Sequence, residues 1–199
     1  LFLAPSAAAG PQDAAKATAA PKPPQIKLAF EKYTLPNGLE VILHPDNRLP
    51  IVAVNIWYHV GPANETAGRA GFAHLFEHMM GKGSGHVPDG EFEKIVEGAG
   101  ASFSNASTAL DRTNYVEDLP SNQLETALWL ESDRMGFLLD RLDQSKLSNQ
   151  QDVVRNERRE TTENEPYGLA DDEMYHQLFP KGHPYYAAII GSHEEIQSA

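Results

Sequence analysis

His74, Leu75, Phe76, Glu77 and His78 spell H-x-x-E-H inside a helix-like run, and no other stretch constrains the chain as tightly. Two imidazoles four residues apart on a helix lie about one turn apart and point the same way. With His74 set at zero and ~100° per residue, Glu77 falls near about −60° and His78 near about +40°. Phe72, Leu75, Phe76, Met79 and Met80 fall between about 100° and 240°, on the opposite side. The pattern predicts a helix that buries one face and presents two potential metal ligands flanking a carboxylate on the other. Neutral imidazole binds zinc at about 2.0–2.1 Å, and a zinc-bound water ionises near pH ~7. Glu77, offset from the pair, is therefore expected to act as general base on that water rather than as a ligand.

A catalytic zinc needs a third protein ligand and one position left open. No third His stands near the pair. His86 is too close along a Gly-rich turn to reach back, and His44, His59, His176, His183 and His193 read as surface or packing residues. The acidic run Asp152, Glu157, Glu160, Glu163 and Glu165 interleaves with Arg155, Arg158 and Arg159. A solvated, salt-bridged helix produces the same pattern, so charge alone leaves each of these carboxylates open.

Around the motif the chain alternates in a way that predicts antiparallel strands. Residues 26–35 and 39–44 flank Asn37-Gly38, a hairpin signal. Further strands are expected over 51–60, 101–108 and 112–119, a short helix over 89–97, and helices over 121–139, 144–163 and 169–178. Leu124, Leu128 and Met135 are expected on the inner face of the helix that Ser121 caps. An antiparallel sheet with helices packed on one face gives an α+β fold.

The run from Gly68 to Met80 resembles the active-site helix of the M16 (pitrilysin-like) metallopeptidases, whose inverted motif marks inverzincins. Asn37 to Leu43, Trp57 to Gly61, Asp111 to Tyr115 and Leu130 to Met135 are similar to other segments of that family, and the resemblance runs from about Phe30 to Ser192. It implies the M16 N-terminal catalytic domain over 26–199, of the LuxS/MPP-like metallohydrolase fold, with one Zn2+. It implies Glu157 as third ligand, in the Val-x-x-Glu context of Val154 to Glu157. Some family members carry an acidic residue seven positions before that ligand, where this chain has Gln150. The resemblance further implies a strand edge near 102–108 that binds extended peptide through the backbone of Asn105 and Ala106. It implies a partner too: a second M16-type domain, in the same chain or in another subunit, without which these 199 residues are expected to cleave little.

Composition narrows the partners. A net charge of −12 argues against nucleic acid, whose phosphates call for Lys and Arg. No apolar run is long enough to span a bilayer, and the absence of Cys removes disulfides and thiolate metal sites. Leu1 to Ala9 resembles the end of a signal peptide, and an Ala/Pro-rich linker follows to residue 25, so a bacterial periplasmic or secreted protein is expected. The expected activity is zinc-dependent endopeptidase action on extended peptides or unfolded segments. The competing expectations are a non-catalytic M16-like structural subunit and a module that binds peptides without cutting them.

Overall fold

Asn37 and Gly38 turn the chain back on itself. Gly38 takes φ +91°, which a side chain would resist, and Asn37 Oδ1 accepts the Leu39 amide at 3.1 Å. The flanking strands β1 (Glu31–Thr34) and β2 (Glu40–Leu43) pair antiparallel with Tyr33 opposite Val41, and Lys32 meets Glu40 at 2.8 Å. The computed structural model describes residues 27–186 and 188–199; the expected signal remnant and linker of residues 1–25 lie outside the described residues. The chain divides into two compact units, one ending at Asn47 and holding this hairpin, the other Arg48–Ala199.

The second unit contains β3 (Ile51–Tyr58), β4 (Phe103–Ala109) and β5 (Arg112–Pro120), with α1 (Phe72–Met79), α2 (Glu91–Gly98), α3 (Leu124–Phe137), α4 (Gln144–Arg158), α5 (Ala170–Leu178) and α6 (His193–Gln197). The three strands form an antiparallel sheet in the order β3-β5-β4, with Val54 opposite Glu117 and Ala106 opposite Tyr115. β4 is therefore an edge strand, unpaired on one side among the described residues. Alternation sorts the sheet. Val52, Val54, Ile56 and Leu119 face the helices and pack on Ala127 of α3. On the outer face Ser107 donates to Asn114 and Asn114 to Asn55, while Arg112 lies over the Trp57 ring. The α+β architecture is the one expected.

The inner face of α3 is not. Leu124, Leu128 and Met135 are 39%, 48% and 41% exposed, whereas Ala127, Leu130, Glu131 and Arg134 are buried. The helix turns its larger aliphatic stripe outward because its inner side carries a charged lock. Arg134 bonds Glu131 and Glu117, and its guanidinium lies 4.7 Å from the Phe92 ring and 4.1 Å from the Tyr115 ring. Buried charges are tolerated when paired in this way. Phe76 also departs from the helical-wheel expectation: it is 49% exposed, while Leu75, Met79 and Met80 are buried.

Candidate metal centre

Leu75 of α1, Val154 of α4 and Ile196 of α6 form one buried cluster, and this apolar contact brings two distant helices side by side. His74 and His78 project from α1 and Glu157 from α4, one turn beyond Val154. α4 is begun by Asp143, which accepts the Lys146 amide at 2.9 Å, and past Arg158 it widens into a π-helical turn, Arg159–Glu163.

The two imidazole Nε2 atoms are 3.4 Å apart, and the Glu157 oxygens lie 3.6 Å from that of His74 and 3.2 Å from that of His78. Three donors held at 2.0–2.1 Å around a tetrahedral ion stand ~3.4 Å from one another, so the triangle has the size a zinc requires. Among the described residues no other group of three His or acidic side chains comes together this way. Burial holds the His74 imidazole below its usual range, and the His78 hydrogen bond holds the Glu157 carboxyl below its own. Neutral imidazole and ionised carboxylate are the forms that ligate. His74 Nδ1 is buried and has no hydrogen-bond partner among the described residues, so Nε2 is the engaged nitrogen.

Glu77 is not part of this triangle. Its Oε2 accepts a hydrogen bond from Thr108 Oγ1 on β4. Two hollows meet at it: a cleft of about 540 Å³ shared with His74 and Glu157, and an apolar cavity of about 320 Å³ lined by Tyr58, Phe72, Phe76, Met80 and Tyr115. Burial raises the Glu77 carboxyl above its ordinary value, against the pull of Thr108 and His78. Ala106 and Thr108 line the cleft. Asn105, one position along the strand, is exposed on the opposite face, so only its backbone is placed at the edge.

The remaining candidates separate cleanly. His86 Nδ1 lies 2.5 Å from Asp133 and its ring packs on Phe137, in a turn that Ser84 also fastens to Asp133. His193 pairs with Glu163, and His176 stacks on Tyr186. Gln150 is buried and donates to Asn149 Oδ1. Sequence reasoning missed Thr108 and Glu65. Glu65 takes the Gly71 and Ala73 amides at 3.0 and 2.6 Å, capping α1 from six residues upstream. The signal for it was a helix start at Gly71 with no Ser, Thr, Asp or Asn to cap it.

Residues 40–190 match the family model described as insulinase, peptidase family M16. The chain is 37% identical over 172 residues to the zinc protease PqqE of Helicobacter pylori, covering 84% of this chain and 37% of that protein. It is 29% identical over 168 residues to the mitochondrial-processing peptidase subunit beta of Lentinula edodes, covering 84% of this chain and 35% of that one. A crystal structure of a protease from Helicobacter pylori superposes with a TM-score of 0.81 at 34% identity, over 86% of this chain and 41% of that chain. The chain thus spans little more than a third of the length of these curated relatives. Among the described residues no helix is long and apolar enough to cross a membrane.

Proposed function

The chain belongs to peptidase family M16, and from that premise we propose that it is the metal-bearing part of a zinc endopeptidase. The observation that carries this reading is the ligand triangle of His74, His78 and Glu157, with Glu77 held beside it but outside it. A zinc ion bound there would supply a Lewis acid and lower the pKa of water toward ~7. The protein's own groups do the rest. Glu77 takes a proton from the attacking water as oxygen bonds to the scissile carbonyl carbon. It then delivers that proton to the amide nitrogen as the C–N bond breaks. Thr108 keeps one carboxylate oxygen fixed by hydrogen bonding, so the other is free to face the reacting water.

The substrate is an extended peptide or unfolded segment that joins β4 as a further strand, with the backbone of Asn105 and Ala106 as its contacts. Residues 26–199 are read as the N-terminal catalytic domain, preceded by an export signal and linker, in a periplasmic or secreted protein. A second M16-type domain, in the same chain or a partner subunit, completes the enzyme and orients the substrate. The test is cleavage of a quenched peptide by the zinc-loaded protein, alone and with the complementary half, with metal content measured in parallel. Stoichiometric zinc without cleavage in the completed assembly would favour the peptide-binding or structural alternative.

A further inference from the structure

Gly191 lies where the two ligand-bearing helices are joined. A Cβ on it would stand 2.2 Å from the Ala70 carbonyl oxygen, and one on Gly71 would stand 2.5 Å from that of Ile190. Both glycines take positive φ, +74° and +89°. They let the turn before α6 run backbone to backbone with the start of α1, closer than side chains permit. Glu195 reinforces the contact: its Oε1 accepts the Ala70 amide at 3.3 Å while its Oε2 holds Ser192. The carbonyl of the same Gly191 accepts a hydrogen bond from Arg158 Nη1 at 2.6 Å. Arg158 directly follows Glu157. One turn thus touches the base of the His74/His78 helix and grips the residue next to the third ligand.

The other contacts of Arg158 follow the same plan. Its Nε donates to Glu163 of the π-helical turn at 3.0 Å, and its Nη2 lies 3.7 Å from Asp172 of α5. The metal cleft takes walls from these segments: Thr161 and Thr162 from the π-helical turn, Tyr175 from α5, and Ile190 from the turn before α6. The Arg158 side chain is only 12% exposed, so these charge-assisted bonds act with little competition from water.

We infer that Arg158, acting through Gly191, is a positioning residue that sets the distance of Glu157 from His74 and His78, and so the metal affinity, without touching the ion. The inference rests on the zinc reading given above. Removing an outer partner of a ligand costs roughly 10–100-fold in metal affinity.

The test measures two quantities on the full chain. One is the zinc dissociation constant, by competition with a chromophoric chelator. The other is the visible spectrum of the cobalt(II)-substituted protein, whose bands report coordination geometry. The variants are Arg158→Ala, Arg158→Lys and Arg159→Ala. Arg159 is exposed and bonds Asn156 Oδ1, so its loss removes the same charge one position along without reaching Gly191. Arg158→Ala should weaken zinc binding roughly 10–100-fold and shift the cobalt bands, Arg158→Lys should recover part of both, and Arg159→Ala should match the wild type. Wild-type affinity and bands in Arg158→Ala, where the wild type binds zinc one to one, overturn this inference and leave the ligand assignment standing. Equal losses in Arg158→Ala and Arg159→Ala overturn it as well. A wild-type chain that binds no zinc removes the ligand assignment and the inference together. If the alanine variant does not fold, Arg158→Met, which keeps the bulk of the stem, is judged by the same outcomes.

Discussion

Thr108 on β4 donates its hydroxyl hydrogen to Glu77 Oε2 on α1. The carboxylate read as the proton carrier is thus fastened to the strand proposed to take substrate on its edge, so a peptide added there would be brought into register with Glu77.

Glu77→Gln keeps the size and the polar contact but removes the proton acceptor. Zinc content should stay stoichiometric while turnover falls by about 10²–10⁴-fold, measured with a quenched peptide on metal-loaded protein joined to its complementary half. Near-normal hydrolysis would contradict the assigned role.

His74→Ala, His78→Ala and Glu157→Ala should each abolish stoichiometric zinc binding, read by metal analysis after dialysis. His86→Ala should retain it, because that ring is committed to Asp133. Loss of metal in His86→Ala with retention in His78→Ala would reverse the assignment.

Glu117 gives the fold a pH dependence. Burial, and then the Glu131 carboxylate, push its carboxyl up to about 8, while Arg134 pulls it down. The folded chain therefore keeps a proton that the unfolded chain releases near 4.5, the ordinary value. The stabilisation is complete below that value and is lost as pH rises through about 8. Denaturant titrations across this window should show the wild type losing stability relative to Glu117→Gln as pH rises; parallel curves would rule the linkage out.

Leu130 and Leu128, two residues apart on α3, should respond differently to change. Leu130→Ala opens a cavity beside Val87, Phe92 and Val96 and should cost about 2–5 kcal/mol. Leu128→Gln, on the exposed stripe, should stay within about 0.5 kcal/mol. Comparable losses in urea unfolding would show that the stripe is buried.

The two imidazoles and Glu77 were legible in the sequence because helix geometry acts locally, within five residues. Glu157 was legible only through family resemblance, since Glu160 and Glu163 carry the same charge signal and differ in lying past the end of α4, in the π-helical turn. The inner face of α3 was misread because aliphatic size was taken as the mark of burial, whereas Glu131 and Arg134 are buried by pairing with each other and with Glu117. Thr108, Gly191 and Arg158 left no readable trace. Their importance comes from contacts between segments tens of residues apart, Thr108 with Glu77 and Arg158 with Gly191.

The open edge of β4 carries a consequence for what could be cut. A strand can be added there only if its own amides and carbonyls are unclaimed, and in a folded protein nearly all of them are already engaged. The edge would therefore discriminate by conformational state before any side chain is read. Rates among different proteins should then track how often each one opens a stretch of backbone, that is, its local unfolding free energy, rather than how often a preferred residue occurs in its sequence.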